Sequence, residues 1–219
     1  MAAIFFHNEV KRPLFPTLPN NLHGRRLIAD MLKIAIILGS IREGRQTHHV
    51  ANYLGERLNA SGQAAARVLD LEEYDLPILT NRWRQQSDPA PGQPDFSRAL
   101  FESDGIVLAS PEYHGSYTGV LKNALDHFWQ EFNRKPMAVV ATGSGRFGGI
   151  NASSEMQQLI LSLGAFAMPH KLLVPHVNKV FDEAGQPIDE AFVRAAAAFI
   201  EELLWFTEAI SSARQRSGK

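Results

Sequence analysis

Residues 111–128 read PEYHGSYTGVLKNALDHF and follow directly on the apolar run GIVLAS. A simple turn needs two or three small or polar residues. This connection uses a proline, an acid, an aromatic, a histidine and two glycines before helical spacing resumes. Pro111 stiffens the exit and blocks a helix. Gly115 and Gly119 free the backbone for close approach to a ligand. Tyr113 and His114 can lie against a planar ring, or edge onto it. Amides along 112–116 are positioned to bond heteroatoms of such a ring. Glu112 reads as a loop-bracing carboxylate rather than a general base. The chemistry that suits this segment is the holding of a flat ring that carries heteroatoms.

Two other segments have unusual chemistry. GSIREGRQTHHV, residues 39–50, follows the apolar run KIAIIL. Ser40, Thr47 and the amides of the helix that starts there can donate to an anion, and the helix N-terminus adds a favourable partial charge. Arg42 and Arg45 add full charge and a forked geometry. The segment has neither the Gly-Lys-Ser/Thr ending of a phosphate-binding P-loop nor the GxGxxG dinucleotide pattern. A terminal phosphomonoester suits it; the plain alternative is a solvated, arginine-bearing turn. TGSGRFGGINAS, residues 142–153, has four glycines between 143 and 149. Its amides can wrap the edge of a ring, with Ser144 and Arg146 in reach of a ligand and Phe147 beneath it. A glycine-rich turn alone is a weak signal, but three such loops together are a strong one.

These loops need elements to hold them. KIAIILG (33–39) is a continuous apolar run and reads as a strand buried on both faces. A helix follows, with Val50, Leu54 and Leu58 at helical spacing. AARVLDL (65–71), DGIVLAS (104–110), PMAVVAT (136–142) and KLLVPHV (171–177) read as four more strands. Helices are predicted over DFSRALFESD, over 118–132 with Leu121, Leu125, Phe128 and Phe132 on one stripe, over NASSEMQQLILSLG, and over about 188–212. Residues 81–94 form a polar, proline-rich loop that either lies exposed, covers the ring or reaches a neighbour. Strands alternating with helices predict a doubly wound, five-stranded parallel sheet in an α/β/α sandwich. Ligands bind such sheets beyond the carboxyl ends of the strands, near the point where strand order reverses. The three unusual loops all emerge there.

The composition of the 219-residue chain is that of an ordinary globular domain, 45% hydrophobic and 21% charged. Residues 1–31 read as an irregular extension, 32–213 as one domain and 214–219 as a tail. A net charge of −1 excludes a general pull toward nucleic acid or membranes. The lack of cysteine excludes disulfides, thiolate nucleophiles and cysteine-held metals, and fits a cytoplasmic home. No run is apolar for the ~18 residues a membrane helix needs. The eight histidines show no metal-binding spacing. His48 and His49 should point to different faces of a helix, and His170 and His176 should be solvated or packing residues. Trp129 reads as a core or interface residue.

LGSIREGR, SPEYHGSYTGVLKNALDHF and TGSGRFGGINA resemble the three signature loops of the NAD(P)H-dependent FMN reductase family, with likeness over roughly residues 33–180. The resemblance implies a flavodoxin-like fold, with FMN as cofactor and NADPH or NADH as co-substrate. It implies ping-pong hydride transfer to a small-molecule electron acceptor such as a flavin, quinone, chromate or azo dye. It also implies a homodimer or homotetramer with active sites near a subunit interface. Carried over, Ser40, Arg42, Arg45 and Thr47 fall on the phosphate loop. Pro111, Glu112, Tyr113, His114, Gly115 and Ser116 fall on the ring loop. Ser144, Gly145 and Gly149 fall on the third, which Arg146 joins from the reading of its own side chain. The flavin supplies the chemistry, so no catalytic acid or base is expected.

The chain departs from the family pattern in five places. Arg45 and Thr47 stand where serine and asparagine are common, and His114 stands where asparagine is common. Thr118 replaces a usual proline, and Asn151 a frequent arginine. The last leaves the choice between NADPH and NADH open. An FMN-binding electron carrier and a flavin-free binder of phosphate esters are the competing readings. The near-neutral charge argues against the first, and the aromatic second loop against the other.

Overall fold

The structure is a computed structural model that describes residues 31–217. The extension expected over 1–31, apart from Met31, and the last two residues of the expected tail lie outside the described residues.

Five parallel strands form one sheet in the order β2-β1-β3-β4-β5. They are β1 Leu32–Leu38, β2 Ala64–Asp70, β3 Gly105–Pro111, β4 Pro136–Thr142 and β5 Phe166–Val174. The helices between and after them are α1 Thr47–Ala60, α2 Leu71–Tyr74, α3 Gly92–Glu102, α4 Gly119–Asp126, α5 Ile150–Ser162 and α6 Glu190–Arg216. Alternate side chains of each strand serve opposite layers. Ile34, Ile36 and Leu38 meet Val50, Leu54 and Leu58 of α1 and Phe199 and Leu203 of α6. Ala35 and Ile37 meet Phe96 and Leu100 of α3, Leu121 and Leu125 of α4, and Met156 and Ile160 of α5. This is the flavodoxin-like arrangement predicted from the sequence.

Register brings the functional ends level. Leu38 stands beside Ala109, Ala109 beside Val140, and Pro111 beside Thr142. The segments after β1, β3 and β4 therefore leave the sheet at one height. Strand order reverses between β1 and β3, where the crevice opens.

Four sequence-based expectations need correction. The fifth strand runs over Phe166–Val174 rather than 171–177. Its register slips where Ala167 faces Met137 but Lys171 faces Val139, so Pro169 sits in a bulge on an edge strand, where a missing N–H is tolerated. The helix expected over 118–132 stops at Asp126 and is followed by a 3-10 turn over Gln130–Phe132. The Trp129 amide donates to the Glu131 carboxylate at 3.0 Å, which diverts it from the helical ladder. Loop 81–94 contains a 3-10 turn, Trp83–Gln85, and gives way to α3 at Gly92. The Trp83 indole donates to Glu131 at 3.3 Å, so within its own subunit this loop is seated beyond the far end of α4, away from the rim. The last helix continues to Arg216, so the boundary expected at 213 falls inside it.

Two histidine and tryptophan expectations also change. The rings of His48 and His49 touch, with centroids 3.8 Å apart. Trp129 is 53% exposed, with the Arg82 guanidinium 4.3 Å above its ring, so it is not a core residue.

Candidate functional site

The three loops are stitched together by hydrogen bonds. The Gly39 amide donates to the Ala109 carbonyl at 2.8 Å. The Thr118 hydroxyl donates to the Gly39 carbonyl at 2.5 Å and accepts from the Leu121 amide, capping α4. The first loop is thereby tied to the second. Thr47 and Thr142 share a hydrogen bond between their hydroxyls at 2.8 Å, which ties the first to the third. The Glu112 amide donates to the Thr142 carbonyl at 2.9 Å, tying the second to the third.

Ser40 follows β1, and the loop it opens leads into α1. The Ser40 hydroxyl is buried and has no hydrogen-bond partner among the described residues. Leaving such a group unpaired costs about 1–3 kcal/mol. No side chain caps the start of α1 at Gln46, whereas Thr118 caps α4 and Asp189 caps α6. An orphan hydroxyl beside uncapped amides fits a phosphate. Arg42 is exposed and makes no ion pair among the described residues. Arg45 is committed elsewhere. It grips Asp70 through two bonds of 2.7 and 2.6 Å and meets Glu72 at 2.7 Å. It also donates to the Ser40 carbonyl at 2.5 Å. The hydrogen bond it donates to Asp70 raises its pKa above the usual arginine value, against the effect of burial. Arg45 thus locks the first loop to the end of β2 with its charge already balanced.

The ring loop is a tight hairpin. Tyr113 and Ser116 exchange two backbone hydrogen bonds of 2.8 and 3.1 Å. His114 and Gly115 form its tip with φ of 52° and 81°. Positive φ at both central positions marks the turn type that matches strand twist, and histidine is among the side chains that enter this region most readily. The amides of Glu112, Tyr113 and Ser116 are therefore used internally. Of the five amides read from the sequence as ring donors, those of His114 and Gly115 remain. Glu112 is the brace that its position suggested. Its carboxylate accepts from the Asn151 and Ala152 amides at 2.9 and 3.1 Å and from the Asn151 side chain at 3.3 Å, capping α5. Ser116 donates to Glu155, so the hairpin is latched to α5 twice.

The third loop is shaped by the turn after β5. Gly149 has φ of 86°, and a Cβ there would stand 2.8 Å from that of Ala141. Ser144, Gly145, Arg146 and Phe147 are exposed. Arg146 lies 4.5 Å over the Phe147 ring, and Phe147 is 61% exposed. His176 donates from Nδ1 to the Ser144 carbonyl at 3.1 Å. The sequence assigned no role at the site to His176, Thr142, Glu155 or the Asp70–Glu72 pair. Each acts on a loop distant in the chain, and the only local signal is an acidic pair following the second strand. His170 is exposed and edge-on to Phe199, within the solvated or packing role expected of it.

Comparison with known proteins agrees with this geometry. The model of the family described as NADPH-dependent FMN reductase matches residues 32–179. An FMN-dependent NADPH-azoreductase of Staphylococcus haemolyticus is 31% identical over 80% of this chain and 95% of its own. An NADPH azoreductase of a Bacillus species is 30% identical over 71% of this chain and 83% of its own. Among solved structures, the flavoenzyme FerB of Paracoccus denitrificans, an NAD(P)H:acceptor oxidoreductase, superposes with a TM-score of 0.69 at 22% identity. It covers 81% of this chain and 98% of FerB, and supports the fold. The matched segment runs from β1 to the turn after β5 and contains all three stitched loops. The chain belongs to the NADPH-dependent FMN reductase family.

Proposed function

We propose that this oxidoreductase binds FMN across the stitched rim and uses NADPH or NADH to reduce a small-molecule acceptor of the azo, quinone or flavin type. The observation that carries the reading is the buried, unpartnered Ser40 hydroxyl beside the uncapped start of α1, level with two ring-shaping loops. When bound, FMN would supply the two-electron redox chemistry that links the nicotinamide to the acceptor. Ser40, Thr47, Arg42 and the first amides of α1 hold the phosphate. Arg45 holds the loop that carries them. Pro111 sets the exit of the second loop, whose tip presents the amides of His114 and Gly115 to the ring. Ser144, Gly145 and Arg146 flank it from the third loop, and Gly149 permits the turn. Tyr113 and Phe147, 37% and 61% exposed, offer aromatic faces to the ring or the acceptor. Such residues orient the ring and exclude water; none has to move a proton.

Two finer parts of the reading concern assembly and location. A homodimer or homotetramer would cover the exposed aromatic residues Trp129 and Phe147, and sedimentation analysis tests it. A cytoplasmic location accords with the cysteine-free composition and the supply of reduced nicotinamide.

The test is direct. The purified protein should be yellow, bleach under NADPH without oxygen and recover colour when an azo dye or quinone is added. Colourless protein that takes up no added FMN would falsify the reading. Tight FMN binding with no nicotinamide oxidation would replace it with an electron carrier.

A further inference from the structure

The third loop has a feature that its glycines do not explain. Three successive carbonyls in it are held from one side. The Gly143 carbonyl accepts from the Val177 amide at 3.1 Å and the Gly145 carbonyl from the His176 amide at 3.2 Å, with a longer bond of 3.4 Å to Gly145 from the Gly148 amide of the loop itself. Between them, the Ser144 carbonyl accepts from His176 Nδ1 at 3.1 Å. Gly143 in turn donates to Val174 at 3.1 Å. In a planar trans peptide the carbonyl of one residue and the amide of the next point in opposite directions. Holding the carbonyls of 143, 144 and 145 against residues 176–177 therefore turns the amides of Ser144, Gly145 and Arg146 the other way. Those three amides have no partner among the described residues, and all three residues are exposed.

His176 achieves this through an uncommon backbone. Its φ and ψ of 47° and 41° are left-handed. From that position the main-chain amide and ring Nδ1 of one residue face neighbouring carbonyls of the loop. A carbonyl only accepts, so Nδ1 carries the proton, in the neutral ring as in the charged one.

We propose that His176 is a positioning residue of the cofactor site: by holding the Ser144 and Gly145 carbonyls, it aims the amides of Ser144, Gly145 and Arg146 at the edge of the flavin ring. The proposal rests on the FMN reading above. Asparagine tolerates left-handed backbone, and its Nδ2 leaves the same carbon as histidine Nδ1. It should therefore replace His176, where alanine, glycine and aspartate should not.

The experiment titrates FMN into apo-protein by flavin fluorescence and measures the midpoint potential of the bound flavin. His176→Ala should weaken FMN about five- to tenfold, the loss of one hydrogen bond's orienting effect. It should also lower the midpoint potential, because donors at the ring edge favour its electron-rich reduced form. His176→Gly keeps the backbone without the ring and should behave like alanine. His176→Asn should restore both affinity and potential. Wild-type behaviour in the alanine and glycine variants, or an asparagine variant no better than alanine, overturns the proposal. Should the variants fail to fold, amide resonances of the wild-type protein decide. The signals of 144, 145 and 146 should move on adding FMN. Tight FMN binding that leaves them unmoved sinks the proposal while sparing the FMN reading, and an absence of FMN binding sinks both.

Discussion

Ser40 has a buried hydroxyl with nothing to bond, in a rim otherwise rich in hydrogen bonds. Removing such a group usually leaves a fold as stable as before or more so, because its lost hydration goes with it. Ser40→Ala should therefore leave the melting temperature of the apo-protein unchanged or higher, yet weaken FMN about tenfold. Equal weakening of fold and binding would show that the hydroxyl is structural. Glu131 is a buried residue with a different role. Burial pushes its carboxyl up, but donors outweigh this: the Ser97 hydroxyl at 2.7 Å, backbone amides of the turn and the Trp83 indole. The result is a carboxyl below its ordinary value of 4.5. A depressed acid contributes stability above its unfolded value and loses it as pH falls through its folded one. Thermal melts of the wild type should thus fall as pH drops below about 4.5. Glu131→Gln should lower the melting temperature and flatten the fall. An unchanged acid limb in the glutamine variant would show that another carboxylate governs it.

Helix starts near the rim differ in how they are closed. Thr118 caps α4, Glu112 reaches across from the ring loop to cap α5, and Asp189 caps α6. The start of α1 has no side-chain cap and lies beside Ser40. A capped end favours stability, and an open one favours an anion. Between β4 and α5 the chain turns at Gly149, where left-handed φ and contact with Ala141 coincide. Gly149→Ala combines backbone strain with overpacking and should cost about 2–5 kcal/mol. Chemical denaturation measures it, and a loss under 1 kcal/mol would mean that the turn relaxes. Buried Lys135 finishes α3 in the same manner at the opposite end of the sheet. Its ammonium donates to the carbonyls of Leu100, Phe101 and Ser103 at 2.5, 2.8 and 2.5 Å. Burial pushes its pKa down to about 7.

At the scale of the molecule, the sheet sets three loops level and hydrogen bonds join them, so a ligand that spans them should stabilise the whole domain. FMN at a hundred times its Kd would add about 2.7 kcal/mol. In a domain of this size that is a rise of about 5–10 °C in melting temperature. Riboflavin lacks the phosphate and should give a much smaller rise at the same concentration. Equal shifts would remove the phosphate from the recognition. The loops and the elements that bear them were legible in the sequence, because apolar periodicity and glycine or proline chemistry are local. KIAIIL and PMAVVAT had to be buried strands, and a parallel sheet had to bring their carboxyl ends to one rim. Helix breaks were less legible: the apolar stripe continues through Phe128 and Phe132, while the Trp129 amide bonds Glu131. Partners distant in the chain were not legible at all. The sequence offers Arg45 as a candidate phosphate ligand and His176 as a solvated or packing residue. Only tertiary structure sets Arg45 against Asp70, the hairpin amides against one another, and His176 under the third loop. Residue type determines what a group is able to bond. Which bond it makes depends on what the folded chain places within 3 Å of it.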